Sequence, residues 1–536
     1  MERKTAEDMA AEQKEISVSE FFEKNKHLLG FDNPTKALMM CVKEAVDNSL
    51  DACEEAGIVP DLIVKVKAVK EDVYRISIQD NGPGIVKEQL PKIFGKLLYG
   101  SKFHRMKQSR GQQGIGISAS VLYSQLTTGK PAFIWSKTES GKKVNYLEMH
   151  INTMKNEPEI VKEETLENTI ITEHGTKIEM EVVGRYRKSQ GVDDYLKQTS
   201  IANPCARIVY HAPDGTKMTF PRSTNELPKE PKEIKPHPYG MEFGILSRML
   251  INSKSKTLSS FLINEFSSTG ATSANEICKV AKIDKNKKPQ TLARGEVENI
   301  LNAMQKVKLQ RPPTDCLSPI GEAEIERSLK KEYPDAEFIA AVTREPTVYK
   351  GNPFQIEIAI VYSSEFKSDS SVEILRLANR VPLMYQAGAG ATVEALRDTD
   401  WKRYGLSKSG NSLPSGPAII MVHMVSVWVP FISESKEAIA PYPEIVKEMK
   451  LALQDAGRKL SRYLSGKRRS GEHKRRLQIF ERYAPEVAEA LHKLTGKPEK
   501  ELAKKLKDLI KDRANLREVD EDGAEESGQG TGKTGK

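Results

Sequence analysis

The stretch that decides the fold is DNPTKALMMCVKEAVDNSLDA, Asp32–Ala52. Asp32 or Asn33 can cap a helix N-terminus, and Pro34 suits the first helical position because no amide donor is needed there. Apolar residues follow at three- and four-residue steps, at Leu38, Cys41, Val42 and Ala45. This periodicity predicts a helix with one buried face, and Gly57 is expected to end it.

The unusual feature of this helix is a set of polar residues at helical spacing. Glu44 and Asn48 are four residues apart, so they lie on one face about one turn from each other, and Asp51 is expected on the same side. An amide oxygen can bind Mg²⁺, and a carboxylate can take a proton from water. The pattern therefore fits a metal–nucleotide site, although alone it fits a solvated stripe as well.

Two predicted strands follow the helix, at residues 62–69 and 73–80, where β-branched residues alternate with polar ones. The second strand runs into the sequence Asp80-Asn81-Gly82-Pro83-Gly84. Its glycines predict a tight loop whose backbone approaches a ligand closely, and the aspartate can accept the exocyclic amine of adenine. By composition alone, an ordinary turn is equally compatible.

A glycine-rich segment lies further along, in SRGQQGIGISASVLYSQL at residues 109–126. Apolar residues at helical spacing follow directly after its last glycine. Glycines that lead into a helix N-terminus present amide donors at the positive end of the helix dipole, which suits an anion. Upstream, Ser101 and Lys102 add a hydroxyl and a cation, and Thr176 begins a later strand.

In this order and at these spacings, the four pieces resemble the Bergerat, or GHKL, ATP-binding fold: E-x-x-x-N-S-x-D-A, D-x-G-x-G, a glycine-rich lid and G-T. The resemblance implies that Glu44 activates the attacking water, Asn48 holds Mg²⁺ and Asp80 reads adenine, with Thr176 supporting the adenine end. The other ATP-binding residues that it implies are Gly82, Gly84, Ser101, Lys102, Arg110, Gly111, Gln112, Gln113, Gly114, Ile115, Gly116 and Ile117.

Composition limits the other possibilities. A chain of 536 residues is too long for one core and predicts about three or four domains. The 5 cysteines are scattered without C-x-x-C spacing, which favours a reducing cytoplasm and argues against zinc. The sequence contains no apolar run of about 18 residues, which is the length that would predict a membrane span. A net charge of +9 permits a polyanionic partner.

The remainder of the chain predicts a change of architecture. A proline- and lysine-rich boundary at residues 221–238 precedes a helical region at 240–306. Mixed helices and strands follow, including one strand within 371–385 and a long one over 416–431, directly before Lys436. A long helix then carries apolar positions from Ile445 to Leu464 and ends near a Ser-Gly break after Arg469.

This layout resembles the topoisomerase VI B subunits, which belong to the type IIB DNA topoisomerases. The resemblance implies an α+β fold that joins a Bergerat α/β sandwich, a helix–two-turn–helix insert and a ribosomal-protein-like α/β transducer with a long C-terminal helix. The expected domains are an ATP-binding domain with an N-terminal strap (1–228), the insert (229–306), the transducer (307–470) and a C-terminal helical region with a disordered tail (471–536).

The implied function is ATP-driven dimerisation that gates the capture and passage of a DNA duplex, relaxing supercoils and decatenating. Lys436 would act in catalysis by reaching the γ-phosphate from the transducer. The segment Ile16–Phe22 would cross to a second protomer, because Phe21 and Phe22 are expected to form an exposed pair that needs an apolar partner. A separate A subunit would cut the DNA within an A2B2 heterotetramer. The expected setting is the archaeal cytoplasm, in association with DNA and without a membrane.

Two related classes remain as alternatives. A mismatch-repair ATPase would share the ATP site and the transducer, but would lack the insert at 229–306. A chaperone of the heat-shock type would share the ATP site, but should carry an acidic linker and a client-binding middle domain. Both alternatives keep an ATP- and Mg²⁺-dependent site of the same design.

The charge pattern makes a prediction about DNA. Lysines of the insert, together with the cluster Lys467–Arg476, would contact the phosphate backbone. Because such contacts release counterions, we expect affinity for duplex DNA to fall steeply with salt and to be independent of sequence. Titration of two unrelated duplexes between low and physiological salt measures this, and a flat dependence would contradict it.

Overall fold

The computed structural model describes residues 5, 9–10, 13, 16–100, 105–111, 114–167, 170–368, 370–433 and 435–509. The chain divides into two compact units, residues 1–457 and 458–536. The expected boundaries at 228 and 306 lie inside the first unit, and the domain limits remain predictions. The expected disordered tail lies outside the described residues.

The first sheet has eight strands in the order β5-β4-β3-β6-β2-β1-β7-β8. Neighbouring strands are antiparallel except β1 and β7, which run parallel with Asp61 opposite Arg207. The strands are β1 Asp61–Lys70, β2 Val73–Gln79, β3 Ala132–Lys137, β4 Val144–Asn152, β5 Glu157–Leu166, β6 Gly175–Val183, β7 Arg207–His211 and β8 Lys217–Phe220. The predicted strands at 62–69 and 73–80 are therefore confirmed.

Helices pack on this sheet: α1 Val18–Lys24, α2 Pro34–Glu55, α3 Leu90–Gly95, α4 Gly116–Thr128 and α5 Val192–Ala202. The side chain of Asn33 caps α2 by accepting from the amides of Thr35 and Lys36. The apolar face of α2 is buried against β2 and α4, where Leu38, Val46, Ile76 and Val121 share one core. Burial of such side chains contributes about 1.5–3 kcal/mol each and sets the orientation of α2.

The N-terminal segment differs in part from expectation. Ser17 caps α1, and the rings of Phe21 and Phe22 meet edge to face with centroids 5.4 Å apart. Phe22 packs against the core of the first sheet, whereas Phe21 is 41% exposed. The expected exposed pair is therefore a single exposed ring.

Four helices then form a cluster with its own core: α6 Phe243–Ile251, α7 Leu258–Glu265, α8 Ala271–Ala281 and α9 Arg294–Lys306. Short 3-10 turns occur in the first unit at Lys26–Leu29, Lys87–Gln89, Pro238–Gly240, Pro289–Thr291 and Trp401–Tyr404. The helical character predicted for 240–306 is confirmed.

The second sheet has six strands and carries α10 Glu322–Glu332 and α11 Ala391–Asp398. Its strands are β9 Phe338–Thr343, β10 Thr347–Tyr349, β11 Asn352–Tyr362, β12 Glu373–Ala378, β13 Val381–Pro382 and β14 Ala418–Ser426. Parallel pairing of β12 with β14 and antiparallel pairing of β11 with β14 bury every residue of β14.

Three sequence predictions for this region were wrong. The strand within 371–385 is a hairpin, β12–β13, that turns at Asn379 and Arg380. Strand β14 ends at Ser426 instead of reaching 431. The C-terminal helix, α12 Pro443–Thr495, has no break after Arg469.

Candidate nucleotide site

A cavity of about 590 Å³ lies beside α2, a volume in the range of small-molecule sites. It is bounded by α2, the loop after β2, the start of α4, β6 and the loop after β14. Of the residues predicted from the sequence, it is lined by Glu44, Asn48, Asp80, Gly84, Gly111, Gly114, Ile115, Gly116, Ile117, Thr176 and Lys436. Residues far apart in sequence therefore converge on one space.

The polar residues of α2 have two different surroundings, which are the cavity and the buried side chain of Arg110. Glu44 and Asn48 line the cavity, as their spacing predicts. Asp51 does not, because its carboxylate accepts from Nη1 of Arg110 at 2.6 Å. Asp51 follows Glu44 by seven residues, so it lies two turns further along the same side of the helix, where it meets a buried arginine instead of the cavity.

Glu44 lies next to Gly116, where the glycine-rich segment enters α4. Nζ of Lys43 lies 3.2 Å from its Oε1 and 2.9 Å from Oδ2 of Asp47. Burial alone would lower the pKa of Lys43, but the carboxylates of Asp47 and Glu44 outweigh it and raise that pKa. A Cβ on Gly116 would overlap Oε2 of Glu44. With any other residue at this position, the carboxylate of Glu44 would have to move away from the start of α4.

Asp80 is buried at the end of β2, and three groups donate to it. Oγ of Ser49 lies 2.8 Å from Oδ2, while the amides of Gly82 and Thr176 lie 2.9 and 3.0 Å from Oδ1. Burial raises the pKa of Asp80, and these hydrogen bonds oppose that rise. Gly82 acts through this bond and does not line the cavity.

Two further glycines allow close backbone approach near Asp80. Gly84 has φ 72°, and a Cβ there would overlap the carbonyl oxygen of Lys137. Gly175 has φ 140°, and its Cβ would overlap the carbonyl oxygen of Asp80. The next residue, Thr176, has its hydroxyl 3.1 Å from Oγ of Ser136. The loop after β2 and the start of β6 therefore form one closely packed wall.

The segment that leads into α4 and the first two residues of that helix line the cavity, at residues 111 and 114–117. Their amides stand at the N-terminus of α4, where the helix dipole favours an anion. Four residues predicted to bind phosphate lie outside the described residues: Ser101, Lys102, Gln112 and Gln113.

Arg110 differs from its prediction as a phosphate ligand. Its side chain is 4% exposed and faces away from the cavity. Nη1 donates to Asp51 at 2.6 Å and to Glu54 at 2.9 Å, and Nη2 donates to Glu54 at 2.6 Å and to the side-chain oxygen of Asn203. Burial alone would lower the pKa of Arg110, but these carboxylates raise it well above its ordinary value. The arginine is therefore part of a buried ion cluster.

Lys436 reaches the cavity from the loop after β14. Its φ of 55° is left-handed, and its amide donates to the carbonyl of Ser433 at 3.0 Å. The next side chain, Glu437, points elsewhere and forms an ion pair with Lys36 of α2. Nζ of Lys36 also lies 3.1 Å from Asp32. Adjacent residues of this loop thus contact the cavity and the side of α2.

Sequence reasoning missed the apolar wall and two polar supports. Lys43 and Ser49 carried a signal, because each is a polar residue of α2 directly next to a predicted site residue. The apolar lining carried none, since such residues are common in any core. It includes Phe31, Met40, Ile78, Ile85, Ile93, Phe94 and Ile178.

The described residues also bear on metal binding and on membrane insertion. Among them, no three or more histidine, cysteine or acidic side chains are grouped as metal ligands. The 5 cysteines are buried thiols without disulfides. None of the described helices is both long enough and apolar enough to cross a bilayer.

Two family models match the chain. Residues 33–153 match the histidine kinase-, DNA gyrase B- and HSP90-like ATPases, and residues 312–476 match the topoisomerase VI B subunit transducer. The first match spans α2, β2 and α4, and the second spans the second sheet and Lys436. The ATPase match confirms the GHKL fold expected from the sequence.

Curated relatives match over most of their length, and each is named as the B subunit of type 2 DNA topoisomerase 6. The Methanosarcina barkeri protein is 49% identical over 490 residues, which cover 91% of this chain and 78% of the relative. The Archaeoglobus fulgidus protein is 48% identical over 91% of this chain and 81% of the relative. The Pyrococcus horikoshii protein is 40% identical over 97% of this chain and 99% of the relative.

The contact between Gly116 and Glu44 makes a prediction. Gly116→Ala should displace the carboxylate, and a displacement of about 1 Å can cost about 100-fold in rate. Steady-state ATPase assays measure the change. Gly295→Ala is the control, because no atom lies within 4 Å of its added Cβ. Equal rates for both variants would contradict a role for this contact.

Proposed function

The chain belongs to the family of topoisomerase VI B subunits, the ATP-hydrolysing components of a type II DNA topoisomerase, and we propose that the cavity beside α2 is its ATPase site. Membership implies a topoisomerase VI A partner and DNA as the substrate. The match of residues 312–476 to the topoisomerase VI B transducer, together with relatives named as B subunits, favours this family over the mismatch-repair and heat-shock alternatives.

One observation carries the proposal. Glu44, Asn48, the amides that begin α4 and Lys436 line the same cavity of about 590 Å³. A base, a metal ligand, an anion-binding backbone and a cation are the groups that ATP hydrolysis requires. Packing alone gives no reason for these groups to converge from separate parts of the chain.

Glu44 is proposed as the general base. Its Oε1 lies 3.2 Å from Nζ of Lys43, and this ion pair fixes the direction of the carboxylate. Its Oε2 faces Gly116, where the absence of a side chain leaves room beside the anion-binding backbone. The carboxylate would take a proton from the water that attacks the γ-phosphorus.

Asp80 is proposed to read the adenine ring. The donors from Ser49, Gly82 and Thr176 fix the carboxylate and leave an acceptor facing the cavity for the exocyclic amine. The apolar residues of the cavity, among them Met40 and Ile78, would cover the faces of the ring. Thr176 would support the same end of the nucleotide.

Asn48 is proposed to hold Mg²⁺ through its amide oxygen. This fits the cavity, because Mg²⁺ commonly uses few protein ligands and takes its others from phosphate and water. When bound, the ion would neutralise charge on the phosphates. The phosphates would contact the amides that begin α4, and Ser101, Lys102, Gln112 and Gln113 are retained as further proposed contacts.

Lys436 is proposed to sense the γ-phosphate. A cation held to this phosphate would join the transducer to the ATP-binding domain, and hydrolysis would release it. The N-terminal segment, with Phe21 41% exposed, would pair with a second protomer in the same state. ATP would thereby favour the dimer that encloses a DNA duplex.

The assembly is proposed to be an A2B2 heterotetramer in the archaeal cytoplasm. Exposed lysines of the four-helix cluster support contact with the DNA backbone, namely Lys254, Lys256, Lys279, Lys282, Lys285 and Lys288. Lys287, by contrast, forms an ion pair with Glu296 at 2.6 Å. Each contact between one of these exposed lysines and a DNA phosphate would strengthen binding without any preference for sequence.

Removal of the base tests the chemistry. Glu44→Gln should lower kcat by about 10²–10⁴ while affinity for a non-hydrolysable ATP analogue stays nearly unchanged. Asn48→Ala should instead lose Mg²⁺-dependent nucleotide binding. Glu71→Gln, an exposed position in a turn, is the control. Near wild-type hydrolysis by Glu44→Gln would contradict the assignment.

Removal of the cation tests the coupling. Wild type should dimerise and compact on a non-hydrolysable ATP analogue, and Lys436→Ala should respond less because the γ-phosphate contact is lost. Small-angle scattering and crosslinking measure this, with Lys402→Ala as an exposed control lysine on the same domain. An unchanged nucleotide response would remove Lys436 from the mechanism.

A further inference from the structure

The backbone of the hairpin turn between β12 and β13 is strained, because neither of its two central residues is glycine. Asn379 and Arg380 have φ of 47° and 66°, so both central residues are left-handed. A two-residue hairpin turn of this type strongly favours glycine at its second position. Here that position holds a buried arginine. Strain of this kind persists only where the surrounding structure maintains it.

Strand β14 maintains the turn. The amide of Asn379 donates to the carbonyl of Met424 at 2.9 Å, and its side chain exchanges two hydrogen bonds of 2.9 Å with the backbone of Ser426. The amide of Arg380 donates to Nε2 of His423 at 2.9 Å. The turn is therefore attached rigidly to the centre of the second sheet.

From this turn, side chains reach the three residues that precede Gly111, the first glycine of the glycine-rich segment. These residues, Gln108–Arg110, are here named the loop stem. Nδ2 of Asn379 donates to the carbonyl of Ser109 at 3.1 Å. Nη2 of Arg380 donates to the carbonyl of Ser318 at 3.0 Å, and the same carbonyl accepts from Nε2 of Gln108 at 3.1 Å. The transducer thus binds the backbone and a side chain of the loop stem.

The stem is connected to α2 by the same cluster. Arg110 donates to both carboxylate oxygens of Glu54, and Nη1 of Arg380 lies 4.0 Å from Oε1 of Glu54. Burial lowers the pKa of Arg380, a cost that the nearby Glu54 opposes. Separating one partner from such a buried pair leaves an uncompensated charge, which resists independent motion of the stem.

We propose that Arg110 and Arg380 are positioning residues that couple the nucleotide-binding loop to the transducer, separately from Lys436. This rests on the proposed function, because it requires the segment after the stem to respond to nucleotide. Movement of that segment would pull on the loop stem, and the rigid turn would transmit the displacement to β14. By linkage, the transducer position would bias the loop in return.

The test compares two variants of the full chain. Arg380→Met removes the hydrogen bonds to Ser318 and the ion pair with Glu54. Asn379→Gly removes the bond to Ser109 and the two bonds to Ser426, so it detaches the turn from both the loop stem and β14, while glycine accepts the left-handed backbone. We expect both to bind a non-hydrolysable ATP analogue within about threefold of wild type, but to weaken analogue-induced dimerisation by about fivefold or more. The dimer dissociation constant with and without analogue measures this by sedimentation.

A control separates coupling from stability. Arg75→Met breaks an ion pair of 2.6 Å with Glu181 on the first sheet and should leave the ratio of the two dimer constants unchanged. A merely structural role for Arg380 would lower the melting temperature without changing this ratio. A wild-type ratio in both Arg380→Met and Asn379→Gly would overturn the proposal.

Combination with Lys436→Ala tests whether the route is separate. Independent routes predict that the fold changes of Arg380→Met and Lys436→Ala multiply in the double variant. A double variant no weaker than Lys436→Ala alone would overturn the second route. Failure of the wild type to bind the analogue would contradict the proposed function instead, so the two failures are distinguishable.

Discussion

Three hydrogen bonds meet at the buried carboxylate of Asp80, and each donor belongs to a different part of the fold. Ser49 comes from α2, Gly82 from the loop after β2 and Thr176 from the start of β6. A buried carboxylate without donors would be costly, so these elements must stay together for the charge to be tolerated. The register of α2 on the sheet, and with it the direction of Glu44 and Asn48, depends on this constraint.

Buried charged side chains also connect the ATP-binding region to the part of the chain that carries the second sheet, at two places. The ion pair between Lys36 and Glu437 lies next to Lys436, and the cluster around Glu54 lies beside the loop stem. Such pairs contribute little net stability compared with apolar packing, but they penalise arrangements in which one partner is lost. They therefore restrict the two sheets to few relative arrangements.

The second sheet has the properties of a rigid element. Glu357 and His423 face each other across β11 and β14 at 2.8 Å, with both side chains fully buried. Glu357 also accepts from the amides of Ile320 and Gly321 at the start of α10. Since His423 accepts from the amide of Arg380, a satisfied polar network runs from α10 to the hairpin turn.

The sequence by itself determined the elements of the ATP-binding region. Capping by Asn33, apolar periodicity and the glycine spacing act over a few residues, so α2, β2 and α4 could be predicted together with the placement of Glu44 and Asn48. Only the tertiary structure decided the partners of Arg110 and the turn at Asn379. Lys436, which lines the cavity, was expected at the ATP site from the family resemblance and not from local pattern. The tertiary structure also decided that β14 ends at Ser426. The hydroxyl of Ser426 forms hydrogen bonds with the carbonyl of Pro353, which lies on another strand, and with the carbonyl of Trp428. Local pattern fixes what a segment becomes, but a buried charge takes its partner from whichever distant segment packing brings beside it.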